Sequence, residues 1–339
     1  MGVLNSYIFC NDSLRFTVCG EGAVNRVTMI QGGGDPMQYE DITVRAKDSY
    51  PLRARCFDCP HPKAVVLVLH GMEEHKGRYD SFASYLQENS YTVLTCDMRG
   101  HGADAPVLSH IASRNGDRLL VEDVRSLTAW LKKRYPDLPL VLFAHSMGTI
   151  IARKVLQADS RQYARVVLSG YPVPQKAAAA GILLCRLSAL AGREGWKGHS
   201  AMVTNMAMGG FSKAVHNAKT PLDWLSYNEE NVRRYQKDPL CGVEFTLGSY
   251  DALFRLVRDI ANPKFYHDVQ AELPILLISG EDDPCTGGES GRKTSIDVLR
   301  KAGFSQIKTE TIAHMRHEIL NEDASGDVFR RILRFLKEE

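Results

Sequence analysis

Short apolar runs alternate with longer amphipathic stretches along most of the chain. Most of the short runs are almost continuously apolar, which is typical of strands buried on both faces of a sheet. In the longer stretches apolar residues recur every three or four positions, as on a helix with one buried face. This alternation predicts an α/β protein with a mostly parallel central sheet flanked by helices. The predicted core strands are residues 64–69, 91–97, 140–144, 164–169, 274–279 and 306–312. The predicted helices are residues 79–87, 119–134, 177–191, 294–301 and 328–337.

The N-terminal part of the chain follows a different pattern. Residues 42–46 and 52–57 alternate between apolar and polar side chains on either side of a turn, which predicts an antiparallel hairpin. Residues 1–38 mix short apolar pieces with three consecutive glycines and a proline, so we interpret them as a leader segment or edge strands.

One long segment lacks the strand pattern. Residues 171–245 contain several helical patterns and no clear strand. We therefore predict a helical cap, or lid, inserted between two parts of one α/β core, residues 39–170 and residues 246–339.

The first helix of this predicted cap is apolar on nearly every side. Arg186 is the only charged residue between positions 177 and 191, and such a helix buries against protein, another chain or a hydrophobic ligand. We predict that Leu183 and Leu184 line a site for one acyl chain. The alternative is that the helix packs within the cap or against a second subunit, and the oligomeric state is left open.

Composition and charge narrow the classes of partner. With 24% charged and 44% hydrophobic residues, the chain has the balance of a soluble globular protein. Its formal net charge of +2, without a long basic run, argues against nucleic acid as a partner. No stretch of about 18 uncharged apolar residues predicts a transmembrane segment, and no signal-peptide pattern is seen, so we expect a cytoplasmic location. Transient contact with a membrane surface is left open.

The cysteines form no recognisable metal or disulfide pattern. Eight of them are scattered along the chain, and the close pair Cys56 and Cys59 has no second pair or histidine pair nearby. We interpret the thiols as reduced and structural.

Two further segments resemble binding motifs without matching them. A His-x-x-Glu-His zinc pattern ending at His75 would need a histidine where Gly71 stands. Residues 287–294 resemble a phosphate-binding loop, but Arg292 interrupts the required spacing, so we interpret them as a flexible loop beside the substrate. We predict neither a metal nor a cofactor.

The strongest functional signal lies where the apolar strand 140–144 gives way to a helix. Ser146 stands at this junction with Ala144 and Gly148 two residues to either side. A strand, a tight turn with small residues and a helix are the context of the nucleophile elbow, which exposes a serine hydroxyl over a helix N-terminus. The alternative is an ordinary turn in which a serine caps a helix.

A serine needs a histidine to take its proton and a carboxylate to orient that histidine. Asp283 follows the strand 274–279, and His317 follows the strand 306–312. Loops at the carboxyl ends of parallel strands meet at one edge of a sheet, where open α/β folds bind ligands. We predict Ser146, Asp283 and His317 as the catalytic residues, with the backbone N–H groups of Met72 and Met147 as oxyanion donors.

Several longer motifs resemble the monoacylglycerol lipase and lysophospholipase branch of the α/β-hydrolases, which are hydrolases of the serine aminopeptidase S33 type. The segments that carry the resemblance are residues 70–79, 97–102, 144–148, 223–226 and 316–322. Ala144 stands where that branch usually has glycine, and Met98 where histidine is common. The resemblance favours Asp283 and His317 over Asp282 and His314.

The resemblance implies an α/β-hydrolase fold and a cofactor-independent serine hydrolase that cleaves carboxylic esters of single-acyl lipids. The same acyl-enzyme could form from an amide or pass its acyl group to another alcohol, so an aminopeptidase, amidase or acyltransferase is the alternative. A non-catalytic binding protein would be expected to lack one of the three catalytic side chains, and none is missing.

Overall fold

The computed structural model describes residues 14–18, 25–29, 37–175 and 177–338. Ten strands in these residues form one sheet. They are β1 (Leu14–Val18), β2 (Asn25–Met29), β3 (Met37–Arg45), β4 (Pro51–Phe57), β5 (Ala64–Leu69), β6 (Tyr91–Cys96), β7 (Leu140–His145), β8 (Arg165–Ser169), β9 (Ile275–Gly280) and β10 (Ile307–Ile312). Their order across the sheet is β1-β2-β3-β4-β6-β5-β7-β8-β9-β10.

Six neighbouring strands of the sheet are parallel to one another, namely β6, β5, β7, β8, β9 and β10. Strands β1 to β4 add antiparallel strands beside β6. The predicted mostly parallel α/β-hydrolase sheet is confirmed. The predicted hairpin corresponds to β3 and β4, which pair antiparallel.

Nine α-helices in the described residues accompany the sheet. They are α1 (Asp80–Glu88), α2 (Gly116–Arg134), α3 (Met147–Asp159), α4 (Ala178–Ala191), α5 (Ala201–Met208), α6 (Glu229–Lys237), α7 (Leu247–Ile260), α8 (Gly288–Lys301) and α9 (Ser325–Lys337). Val65 and Leu67 of β5 join one hydrophobic cluster, and Val66 and Val68 join another. Because successive side chains of a strand point to opposite faces, helices must cover both faces of this sheet.

Helices α4 to α7 all lie between β8 and β9 along the chain. α7 packs against α4 and α5, and also against α2 and α3 beside the sheet. The inserted helices are therefore anchored to the layer that carries β7 and α3.

The prediction of a flexible loop at residues 287–294 is wrong, because helix α8 begins at Gly288. Its polar, glycine-rich first turns have weak helix propensity, but Gly291 packs so tightly that a Cβ there would lie 2.1 Å from the Thr286 carbonyl oxygen. Most of the predicted segment 1–38 lies outside the described residues, and its described part contributes β1, β2 and the beginning of β3.

The six cysteines in the described part of the chain are all free thiols. Among the described helices, none combines the length and apolar character needed to cross a bilayer.

Candidate active site

Ser146 occupies the corner between β7 and α3, at the carboxyl edge of the parallel strands. Its backbone angles, φ 50° and ψ −119°, are rarely adopted by L residues, so neighbouring contacts must hold it there. The Ser146 N–H donates to the Ser169 carbonyl at 2.9 Å. A Cβ at Gly148 would lie only 2.4 Å from the Leu69 carbonyl oxygen. Glycine at 148 therefore allows the close approach on which this turn depends.

Two loops bring His317 and Asp283 to this serine. His317 Nε2 lies 2.8 Å from Ser146 Oγ, and His317 Nδ1 lies 3.0 Å from each carboxylate oxygen of Asp283. Asp283 follows β9 and His317 follows β10, so the parallel sheet places all three residues at one edge. Asp282 instead accepts a hydrogen bond from the Tyr227 hydroxyl at 3.0 Å. The His314 side chain is exposed.

The surroundings of His317 suit a proton acceptor. Its side chain is 3% exposed and that of Asp283 is fully buried. Burial lowers the pKa of His317, but the charge and hydrogen bond of Asp283, together with the charges of Glu318 and Glu74, leave the pKa raised above 6.5. The Trp224 and His145 rings lie 5.0 Å and 4.7 Å from the imidazole. Burial and the neighbouring His317 lower the pKa of His145 to about 4, so His145 is neutral at pH 7.

Buried polar contacts hold the loop after β5. His70 Nε2 accepts from the Met98 N–H at 2.9 Å, and its Nδ1–H donates to the Gly71 carbonyl at 2.7 Å. Both ring nitrogens are thus committed to the backbone. A Cβ on Gly71 would lie 3.2 Å from Ser146 Cβ, so this loop runs directly beside the serine.

Met72 on this loop and Met147 at the start of α3 both line the cavity that contains Ser146. The first N–H groups of a helix have no carbonyl partner within it, so the Met147 N–H is available to a ligand. Two candidate backbone donors therefore flank the serine.

Arg78 links three parts of the site through buried hydrogen bonds. Its guanidinium donates to both oxygens of Glu318 at 2.6 Å, to Glu74 at 2.8 Å and to Asn231 of α6 at 3.0 Å. Burial raises the pKa of both carboxyl groups, but Arg78 acts with other donors and histidines against burial, and the pKa of each is lowered overall: His145, His70 and Tyr79 contribute at Glu74, and Asn231 contributes at Glu318. Glu74 also accepts the Gly71 N–H. Since Glu318 follows His317, Arg78 ties the histidine loop to the loop beside Ser146 and to the inserted helices.

Sequence reasoning missed this network, because its members lie far apart along the chain. The one available signal was the density of charged residues between positions 73 and 78, directly after a buried strand.

A cavity of about 510 Å³ contains the Ser146 and His317 side chains in its wall. Both the sheet edge and the inserted helices contribute to this wall. Much of it is apolar and includes Ile150, Met208, Phe211, Trp224, Phe254 and Val257. The site thus joins a hydrogen-bonded serine and histidine to a space suited to a hydrophobic chain.

Leu183 and Leu184 do not belong to this wall, and that prediction is corrected. Leu183 is 57% exposed, and Leu184 packs partly buried against the core. Gly181 and Cys185 lie on the buried side of α4, where a Cβ at Gly181 would lie 2.7 Å from the Phe254 ring of α7. Because residues four apart share a helix face, this contact fixes which side of α4 is buried.

Two groups of described side chains have potential metal-ligand atoms within 4.8 Å of one another. They are Asp283, Cys285 and His317, and His75, Asp238 and Cys241. In each group the imidazole is already hydrogen-bonded to the carboxylate. Burial raises the pKa of both thiols, so they are protonated at neutral pH. The hydrogen bond between imidazole and carboxylate therefore explains why these side chains lie close together in each group.

The relatives of this chain include several monoacylglycerol lipases. It is 28% identical over 276 residues to the monoglyceride lipase of Mus musculus, covering 77% of this chain and 78% of the relative. It is 23% identical over 262 residues to the monoacylglycerol lipase of Mycolicibacterium smegmatis, covering 77% and 83%.

Solved structures share the fold. A thermostable carboxyl esterase from Bacillus coagulans, in complex with glycerol, matches with a TM-score of 0.80 at 23% identity, covering 88% of this chain and 97% of that chain. A soluble variant of the Saccharomyces cerevisiae monoglyceride lipase matches with a TM-score of 0.65 at 17% identity, covering 89% and 94%.

The family model described as serine aminopeptidase, S33, matches residues 60–324, which is most of the chain. The chain therefore belongs to the serine aminopeptidase S33 family, as a monoacylglycerol lipase-like α/β-hydrolase of the carboxylic ester hydrolase class.

Proposed function

We propose that this protein hydrolyses carboxylic esters of single-acyl lipids, monoacylglycerols or lysophospholipids, through an acyl-enzyme on Ser146. The observation that carries the proposal is the hydrogen-bonded series of Ser146, His317 and Asp283 on the wall of a largely apolar cavity. The names of the monoglyceride lipase relatives favour a lipid ester over an amide.

In the acylation step, His317 Nε2 takes the proton of Ser146 as Oγ attacks the ester carbonyl carbon. The carbonyl oxygen becomes negatively charged, and the N–H groups of Met72 and Met147 donate to it. Asp283 holds the ring in the tautomer that leaves Nε2 free to accept, and it stabilises the imidazolium that forms.

The tetrahedral intermediate then breaks its bond to the alcohol. His317 returns its proton to the departing alkoxide, which leaves as an alcohol. A water molecule next attacks the acyl-enzyme, and His317 accepts its proton. Release of the fatty acid regenerates the Ser146 hydroxyl.

The size and apolar wall of the cavity support the proposed preference for single-acyl lipids. Each methylene group that moves from water to its apolar wall contributes about 0.8 kcal/mol, which favours long chains over acetate. We propose that the helical segment 171–245 acts as a cap over the cavity. A cavity of about 510 Å³ has room for one acyl chain but not for the three of a triacylglycerol.

The outer side of this segment supports transient contact with a membrane surface. Several large apolar side chains on α4 and α5 are exposed to solvent. They are Leu183, Leu187, Leu190, Met202 and Met206. Other residues of α5 line the cavity, so this apolar surface adjoins the space assigned to the substrate. A lipid could therefore pass from the bilayer to the site beside α5.

The proposal is tested by the rates at which the purified protein hydrolyses lipids of increasing acyl number, with Ser146→Ala as the control. We expect hydrolysis of monooleoylglycerol or oleoyl lysophospholipid, much slower hydrolysis of trioleoylglycerol, and no activity of Ser146→Ala. An aminoacyl amide and an added alcohol acceptor test the amidase and acyltransferase alternatives. Faster turnover of either would contradict the assignment.

A further inference from the structure

A small polar patch interrupts the apolar wall of the cavity. Glu73, on the loop after β5, and Tyr250, on α7, both line the cavity. Neither side chain makes a hydrogen bond to Ser146, His317 or Asp283. The reaction steps above leave both without a role.

Tyr250 presents a hydroxyl group that lacks a partner. The residue is 0% exposed, and its hydroxyl makes no hydrogen bond to any residue that the structure describes. The rings of Phe245 and Phe254 pack against it at centroid distances of 5.7 Å and 6.3 Å. Thr204 lies close enough to this hydroxyl to lower the pKa of Tyr250, but no hydrogen bond of ordinary geometry joins the two side chains, and Thr204 donates its own hydroxyl proton to Glu244. A buried hydroxyl without a partner is costly unless a ligand or water completes it.

Glu73 is held in place by its backbone. Its φ of 55° is in the left-handed region, which favours glycine. Its carbonyl accepts from the Tyr235 hydroxyl at 2.8 Å and from the Gly242 N–H at 2.9 Å. One carboxylate oxygen, Oε1, accepts from the Phe245 N–H at 3.1 Å, which is the one hydrogen bond of this side chain to the described residues. The second oxygen is free to accept from a ligand.

The charges around this patch disfavour an anionic ligand. Burial raises the pKa of Glu73 to about 7, and Glu244 adds to the rise, while the Phe245 N–H opposes it. Burial also raises the pKa of Tyr250, and the nearby Glu73 carboxylate raises it further. The groups that shift the pKa of Glu73 include no cation, so a phosphate group beside it would meet the Glu73 carboxylate without compensation.

A hydroxyl group matches the two side chains, because it both accepts and donates a hydrogen bond. We propose that Glu73 and Tyr250 form a subsite for a substrate hydroxyl, in which the Tyr250 O–H donates to the hydroxyl oxygen and Glu73 accepts its proton. This inference rests on the proposed function and adds a determinant of substrate choice to it. The hydroxyl belongs either to the alcohol part of the ester or to the acyl chain.

Two matched substrate pairs separate these sources. Monooleoylglycerol and ethyl oleate differ in the hydroxyl groups of the alcohol, while the methyl esters of a hydroxyoleic acid and of oleic acid differ in the acyl chain. The measured quantity is kcat/KM. We expect Tyr250→Phe to lower it about tenfold for the hydroxyl-bearing member of one pair and to leave its partner within about twofold. The affected pair identifies the source.

Glu73→Gly provides a second variant, because it removes the carboxylate and tolerates the left-handed backbone. It is expected to cause the same selective loss. Tyr266→Phe is the matched control, since Tyr266 also carries a buried hydroxyl without a described partner but lies outside the cavity wall. It is expected to leave the ratios within both pairs unchanged.

Equal effects of Tyr250→Phe and Glu73→Gly on both members of each pair would overturn the subsite. The same selective loss in Tyr266→Phe would overturn it as well. Ethyl oleate hydrolysis by Ser146→Ala tests the proposed function separately. Activity surviving in that variant would refute the role of Ser146, whatever the pairs show.

Discussion

Both carboxylate oxygens of Asp283 lie 3.0 Å from Nδ1 of His317, so the carboxylate fixes the ring with Nε2 toward Ser146. Asp283→Asn would keep the shape of the side chain but would favour the tautomer of His317 whose Nε2 carries a proton and cannot accept one from Ser146. We expect kcat for a p-nitrophenyl ester to fall by about 10⁴-fold, as in a serine protease triad. Asp282→Asn is the matched control and should stay within a few-fold of wild type. Inactivity of Asp282→Asn alone would show that the wrong carboxylate has been assigned.

The two neighbouring histidines are distinguished in the same assay. His317→Ala removes the group 2.8 Å from Ser146 Oγ and should abolish turnover. His314→Ala removes an exposed side chain and should leave both turnover and thermal stability close to wild type. The reverse result would place the proton acceptor at His314.

The raised pKa of His317 has a consequence for pH dependence. His317 accepts a proton only when neutral, so kcat/KM should fall as the pH drops through its pKa, with a midpoint above 6.5. The substrate should be a p-nitrophenyl ester without a hydroxyl group, because such an ester does not use the subsite proposed at Glu73 and Tyr250. Glu73→Gly is the control, because burial raises the pKa of Glu73 to about 7 and the midpoint should persist without it. A midpoint below 6.5 would show that burial, rather than Asp283 and the other neighbouring carboxylates, decides the pKa of His317.

Arg78 is expected to be the most sensitive charged residue for stability. Arg78→Met leaves the carboxylates of Glu74 and Glu318 buried without their cation, which costs about 3–5 kcal/mol. Arg233→Met removes exposed ion pairs on α6 and should change the free energy of unfolding by no more than about 1 kcal/mol. Denaturant unfolding of both variants measures the difference. Similar small effects would show that the Arg78 network contributes little.

The exposed apolar residues of α4 can be tested apart from the cavity. Leu187→Glu together with Leu190→Glu should reduce vesicle binding and slow hydrolysis of monooleoylglycerol in vesicles several-fold. Hydrolysis of a water-soluble butyrate ester should remain unchanged. Phe265→Glu, which alters an exposed aromatic residue outside α4 and α5, is the control. A change of oligomeric state with no loss of vesicle binding would instead identify α4 as a contact between subunits.

The centre of the sheet was predictable because strands β5 to β9 are short, largely apolar and widely separated along the chain. The position of Ser146 between a strand and a helix was also predictable, because a strand, a turn and a helix each leave a local pattern in the sequence. α7 was not anticipated, although it supplies Phe254 and Val257 to the cavity wall. The start of α8 was missed because packing of Gly291 outweighs weak local propensity.

The remaining features of the site depend on distant contacts. Periodicity showed that α4 is apolar all round, but only its packing on α7 decides which side is buried. Leu183 therefore faces solvent although its neighbours suggested a substrate wall. The bonds of Arg78 to Glu318 and of Tyr227 to Asp282 join residues far apart in the chain, and a single sequence carries no local signal for them.

The central claim is that Ser146 is the nucleophile of a lipid esterase. The most direct measurement is peptide mapping by mass spectrometry after reaction with a fluorophosphonate, alongside monooleoylglycerol hydrolysis. We expect one phosphonyl group on the peptide containing Ser146, loss of hydrolysis in proportion to labelling, and neither labelling nor hydrolysis in Ser146→Ala. Labelling at another residue, or hydrolysis that survives in Ser146→Ala, would contradict the claim.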